Sequence, residues 1–141
     1  MAEAPAIAAA AQVPQLLCAS AELEEKGRAV LFDVLHYREP ARAFALRFEG
    51  RVVAYLNRCV HVPTELDWQP GEFLDSGRKF ILCSIHGAAY EPRSGRCLAG
   101  PCGNGRLTLI EVEERDGAVW WLPTRDTRPA PAAAGGPASP V

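Results

Sequence analysis

An all-β, antiparallel domain is predicted by three features of the 141-residue chain. Apolar runs of strand length recur along its middle, turn dipeptides (Glu49-Gly50, Ser76-Gly77, Ser94-Gly95, Asp116-Gly117) interrupt them, and "LTLIEVEE" alternates apolar and polar as a half-buried strand must. In chain order the expected strands are residues 29–35, 43–48, 52–56, 79–83, 106–114 and 118–123. Asp116-Gly117 joins the last two as a hairpin, because only residues tolerant of positive φ fit a two-residue turn between strands. The one helical signal is "SAELEEKG" at 20–27, where Ser20 caps a single turn and Gly27 ends it. No internal repeat is visible.

Composition bounds the function. With 48% hydrophobic and 23% charged residues the chain has the make-up of one globular domain. A net charge of −2, with Lys and Arg scattered along the sequence, argues against a nucleic-acid partner. No run approaches the roughly 20 apolar residues of a membrane span. The start "MAEAPAIAAAAQVPQLLCAS" has an acidic residue and prolines where a signal peptide has positive charge, so a cytoplasmic protein is expected. Cys18 follows a leucine too large for a lipoprotein cleavage site and is read as an incidental or buried thiol. Residues 1–14 and the tail 124–141, with four of the twelve prolines, offer little to bury and are expected to be disordered around a domain at 15–123.

The chemistry is carried by "NRCVHVPTELDW" (57–68) and "ILCSIHGAAY" (81–90), each with one cysteine and one histidine. They use two of the five cysteines and two of the three histidines. In a reducing compartment such cysteines are free thiols or metal ligands. Each pair follows an apolar run, which places the four side chains on two loops at one tip of the β-framework. A Cys₂His₂ set is compatible with structural zinc, although zinc sites usually take cysteines from one knuckle and histidines from another. Mixed pairs suit a two-iron cluster in which one iron takes both thiolates and the other both imidazoles.

The pattern Cys-x-His, spacer, Cys-x-x-His-Gly resembles the signature of the Rieske [2Fe–2S] family. It stands here as "CVH" at 59–61 and "CSIHG" at 83–87, and extends to "YEPRSG" (90–95) and the proline-containing "AGPC" (99–102). The resemblance implies a Rieske-like antiparallel β-sandwich with a small cluster-binding subdomain, about residues 57–102, formed by the two ligand loops at one tip. It implies one Rieske-type [2Fe–2S] cluster ligated by Cys59, His61, Cys83 and His86, with Gly87, Ala88, Tyr90 and Pro101 around it. The 21 residues between His61 and Cys83 exceed the family's usual spacer by a few, and lengthening this excursion bears on partner choice more than on ligation.

What the resemblance implies about function follows from charge. Two thiolates and two neutral imidazoles leave the oxidised centre neutral, which raises the potential to roughly −150 to +300 mV against about −400 mV for plant-type ferredoxins. High-potential respiratory members have a Ser after His-Gly, a Tyr two residues later and an extra disulfide. This chain has Ala88, keeps Tyr90, and has Thr64 and Ile85 where those cysteines would stand. It is therefore more similar to small soluble Rieske ferredoxins that feed aromatic-ring oxygenases. The implied role is a one-electron carrier between a reductase and a terminal oxidoreductase or oxygenase, with the histidine ligands at the exit surface, and not a catalyst by itself. A separate catalytic iron would need two histidines and a carboxylate, and only His36 is left over. A redox-sensing or accessory iron–sulfur subunit fits the same residues. Cys97 and Cys102 are read as packing thiols, His36 as a satisfied histidine, and Trp68, Trp120 and Trp121 as packing residues.

Overall fold

The computed structural model describes residues 13–60, 64–83, 87–100 and 103–130. Its strands are β1 (Gln15–Ala19), β2 (Val30–His36), β3 (Glu39–Phe48), β4 (Arg51–Leu56), β5 (Ile81–Leu82), β6 (Ala89–Tyr90), β7 (Cys97–Ala99), β8 (Val112–Arg115), β9 (Ala118–Trp121) and β10 (Thr127–Pro129). They pair antiparallel into sheets of order β1-β9-β8, β10-β2-β3-β4 and β5-β6-β7. No α-helix occurs among the described residues, and none of their helices is long and apolar enough to cross a membrane.

β3 shows why the layers form. Its middle is buried on both faces, so it reads as a continuous apolar run. Small residues point one way: Ala43 and Ala45, with Ala54 and Leu56 of β4, pack on Ile110 and Trp121. Trp121 fills the space the alanines leave, against Phe32 at 5.3 Å. Large residues point the other way: Phe44, Leu46 and Phe48, with Tyr55 of β4, pack on Phe73, Ile81, Cys83 and Tyr90. Phe44 stacks on Phe73 with ring centroids 3.7 Å apart. The four-stranded sheet thus lies between the β1-β9-β8 sheet and the small β5-β6-β7 sheet. Tyr55 crosses the second interface, its buried hydroxyl donating to the Pro92 carbonyl at 2.6 Å. Each such buried aromatic contributes about 1.5–3 kcal/mol through removal of apolar surface from water.

Three two-residue turns close the hairpins. Glu49-Gly50 (φ 52° and 81°) and Asp116-Gly117 (φ 53° and 76°) have positive φ at both positions, as the expected turn type requires. The third, between His36 and Glu39, has the same geometry with Tyr37 and Arg38 (φ 50° and 70°). With no glycine or asparagine to relieve it, each of these residues costs about 1–2 kcal/mol. That turn was absent from the sequence signals because its residues are not turn formers.

Elsewhere the structure differs from the sequence expectation in four places. β1 pairs with β9 through a bulge between Leu16 and Cys18, which erases any alternation. β10 lies within the tail expected to lack order, and extends the central sheet through Thr127↔His36, Arg128↔Leu35 and Pro129↔Val34. Residues 106–114 are not one strand: 106–110 run beside β4, with Leu56 N–H donating to the Thr108 carbonyl and Ile110 N–H to that of Ala54, before β8 begins. The helical signal is a single 3-10 turn, Ser20–Glu22, with Ala19 rather than Ser20 as its cap. Residues 1–12 and 131–141 lie outside the described residues.

Candidate metal centre

The first ligand loop leaves β4 at Leu56 and is organised by Asn57, which is 4% exposed. Its N–H donates to the Arg42 carbonyl at 2.7 Å. Its Oδ1 accepts from Leu66 N–H at 2.7 Å, and its Nδ2 donates to Asp67 Oδ1 at 3.0 Å. Asp67 in turn accepts from Gly71 N–H through Oδ2 at 3.1 Å. A loop without a ladder must satisfy its buried backbone groups with side chains, and this Asn–Asp pair does so. Cys59 N–H closes the loop onto the Thr64 carbonyl at 2.8 Å.

The second loop follows β5. Cys83 N–H donates to the Ala88 carbonyl at 2.8 Å and Gly87 N–H to the Cys83 carbonyl at 2.9 Å, with Gly87 at φ 72°. A third segment packs directly on it at Gly100 (φ 91°), where a Cβ would stand 2.8 Å from Ala88 Cα and 3.0 Å from the Gly87 carbonyl oxygen. Only glycine permits that approach.

These loops bring Cys59 (2% exposed) and Cys83 (0%) into one buried cluster with Ala88 and Tyr90. The Tyr90 hydroxyl lies 3.5 Å from Cys59 Sγ and accepts from Val60 N–H at 3.2 Å. Burial, and next the contact with Cys59, push the Tyr90 phenol well above its ordinary range, so it stays protonated and serves as a donor to the sulfur. Two sulfurs delivered from separate loops to one dry cluster, with a phenol aimed at one of them, fit an iron–sulfur group: thiolate charge buried there needs a metal to share it. When bound, that group supplies one-electron oxidation and reduction. Ala88, fully buried, leaves Tyr90 as the side-chain hydroxyl of this pair of positions. His61, His86, Pro101 and Cys102 lie outside the described residues, among which no group of three or more His, Cys, Asp or Glu residues gathers for a metal.

The remaining candidates separate cleanly. Cys18 packs with Leu23 and Val119, and burial raises its thiol pKa. Cys97 is disulfide-bonded and not the packing thiol the sequence suggested. His36 Nδ1 meets Thr127 Oγ1 at 3.0 Å and its ring edge meets Tyr37. Trp121 is core. Trp68 is exposed, with Nε1 donating to the Leu74 carbonyl at 3.2 Å, and Trp120 lies under the Arg115 guanidinium at 5.0 Å. Sequence reasoning missed Asn57, Asp67 and Gly100. Asn57 stood close before Cys59 and Gly100 directly before Pro101, whereas Asp67 carried no signal of its own.

A framework of antiparallel sheets with two buried thiols on separate loops of a small subdomain suits an iron–sulfur protein. The sequence matches the Rieske [2Fe-2S] domain family over residues 13–122, and the chain belongs to that family. It carries one Rieske-type cluster. A search of curated proteins gives no significant match. Among solved structures, the ferredoxin of carbazole 1,9a-dioxygenase from Nocardioides aromaticivorans IC177 is similar at TM-score 0.62 and 22% identity, over 79% of this chain and 98% of that one. A chain from the complex of reduced oxygenase and oxidised ferredoxin in carbazole 1,9a-dioxygenase is similar at 0.62 and 23%, over 80% and 95%. Apo dicamba monooxygenase is similar at 0.61 and 19%, over 82% of this chain but 34% of its own. At these identities the likeness is one of fold.

Proposed function

We propose that the chain is a one-electron carrier that takes electrons from a reductase and passes them to a terminal oxidoreductase or oxygenase, with Cys59, His61, Cys83 and His86 holding the cluster. The histidine count carries this reading. Of three histidines the cluster takes two, and His36 is engaged with Thr127, so this chain has none from which to build a second iron site for catalysis. The ferredoxin and oxygenase names of the similar structures support the same assignment. Tyr90 tunes the carrier: its hydroxyl on the Cys59 sulfur favours the more negative, reduced state.

The test is metal analysis with voltammetry on the purified chain. About two irons and two acid-labile sulfides per chain and a reversible one-electron wave are expected. Stoichiometric zinc without visible absorption would remove the cluster, and an irreversible or sluggish wave from an iron-loaded protein would remove the carrier role.

A further inference from the structure

Three arginines far apart in sequence gather in space. Arg38 in the β2–β3 turn meets Arg125 and Arg128, which flank the start of β10, around a pocket of about 400 Å³ that also contains Tyr37 and Asp126. None of the three guanidinium groups forms an ion pair among the described residues. Asp126, the carboxylate in the pocket, is used instead to fix the turn: its Oδ2 accepts from the Tyr37 hydroxyl at 3.2 Å and its carbonyl from Tyr37 N–H at 2.8 Å. Tyr37 stands 65% exposed, in a turn geometry that asparagine and glycine adopt without strain. Backbone strain held in place by neighbouring bonds, at an exposed tyrosine among unpaired arginines, is the composition and pre-organisation of a binding anchor.

Its location is specific. The β2–β3 hairpin overhangs the end of β4, because Asn57 N–H, at the entry to the first ligand loop, bonds only as far along β3 as Arg42. A groove of about 430 Å³ runs between Asp33 and Arg42 of the hairpin and Arg58 and Glu65 of the ligand loop, so the two are walls of one surface. The opposite end of the sheets is different. There the turns at 49–50 and 116–117 carry Glu25, Glu113, Glu114 and Asp116, which are spent on turn amides or on Arg47 and Arg115. Lys26 and Arg51 at that end also lack ion pairs among the described residues, but they stand apart, whereas Arg38, Arg125 and Arg128 line one pocket on the side of the cysteine loops of a chain whose net charge is −2.

We propose that the hairpin tip, Tyr37 and Arg38 with Arg125 and Arg128, docks an acidic face of the protein with which this chain exchanges electrons. The inference rests on the carrier reading for the identity of the exchange partner. Uncompensated guanidinium groups beside the cysteine loops steer a carboxylate-bearing surface toward that side, while the net negative charge repels it elsewhere, so encounters are oriented.

The cluster-loaded chain is flowed at low salt and pH 7.5 over immobilised poly-L-glutamate, poly-L-lysine and oligothymidylate. Tightest retention on poly-L-glutamate, weakening as salt is added, is expected. The variant Arg38→Glu/Arg125→Glu/Arg128→Glu is expected to bind it roughly tenfold more weakly, with an unchanged visible spectrum. A control of equal net charge, Arg51→Glu/Lys79→Glu/Arg106→Glu, keeps most of the binding. Tyr37→Asn/Arg38→Gly relaxes the turn, so it melts higher and yet binds less. Tighter binding to poly-L-lysine, equal losses in both triple variants, or a preference for oligothymidylate overturns the docking surface. Voltammetry of the same proteins on a hydroxyl-terminated electrode separates the two readings: no reversible wave from any cluster-loaded form overturns the carrier and hence the electron-exchange partner, whatever the polymer binding shows.

Discussion

The framework and the cluster-bearing tip are built by different means. In the framework, ladders run for up to seven register pairs between β2 and β3, and the core is closed by apolar residues alone. In the tip, β5 and β6 share two pairs, and order comes from side chains bonded to loop backbone: Asn57 to Leu66, Asp67 to Gly71, Tyr90 to Val60. A ladder of that length does not stabilise itself. The difference predicts that the framework folds on its own ladders and core, whereas the tip, although Phe73, Ile81 and Tyr90 pack on the framework, depends further on the metal its cysteines are proposed to hold, since the free energy of metal binding becomes folding free energy where the site is not otherwise formed.

The largest expected effect breaks the comparison at its centre. Cys59→Ser or Cys83→Ser should abolish the cluster spectrum entirely, and hydrogen exchange should rise across residues 57–100 while amides of β2, β3 and β4 stay protected. Equal loss of protection in both regions would show that the tip and framework are one cooperative unit. Next in size is Trp121→Ala, which empties the space between the alanines of β3 and β4 and the outer sheet. A cost of about 3–5 kcal/mol is expected, read by denaturant unfolding, with the visible spectrum and midpoint potential of the folded protein unchanged. A shifted potential would mean that the framework core sets cluster geometry.

How much of this was legible depended on whether side chains or backbone set the structure. The turns at 49–50 and 116–117 were readable because their positive φ needs glycine, and residues 43–48 were readable as a strand because both faces are buried. β1 and β10 were not. An edge strand is specified by the neighbour that accepts its backbone bonds, and Pro129 is tolerated there because an edge amide has no partner to lose. Tyr37-Arg38 was hidden because the residues that the turn prefers are absent, and Asp126, which holds it, is 89 residues away in sequence. The Cys and His pairs were visible at once. The bonds that present the cysteines were not, because Asn57 and Gly100 acquire their roles only when three loops meet.

A smaller effect sharpens the comparison from the tip. Removing the Tyr90 hydroxyl as Tyr90→Phe deletes one hydrogen bond to Cys59, the sulfur proposed to hold the cluster, worth about 1 kcal/mol, which for one electron corresponds to about 40 mV. The midpoint should fall by that order. Ala88→Ser should raise it if a hydroxyl at that buried position reaches the cluster. Framework unfolding should respond little to either. An unchanged potential in Tyr90→Phe would show that the 3.5 Å approach to Cys59 is packing and not tuning.

The smallest expected effect belongs to the framework edge and is a matter of pH. His36 binds Thr127 of β10, and its pKa is lowered from 6.5, first by burial and then by the positive charge of Arg58, with Asp126 pulling the other way. A histidine held neutral in this manner contributes its stability fully above the unfolded pKa, and that contribution is lost as pH falls through 6.5 toward the folded value. Acidification from pH 7.5 to about 5 should therefore loosen the β10–β2 pairing at Thr127↔His36, and amides of residues 127–129 should exchange faster. His36→Gln, which offers Thr127 a neutral partner at every pH, should remove that part of the dependence and leave the part due to carboxylates. Identical pH profiles for the two proteins would show that His36 is neutral in both states of the edge and that its bond to Thr127 carries no proton linkage.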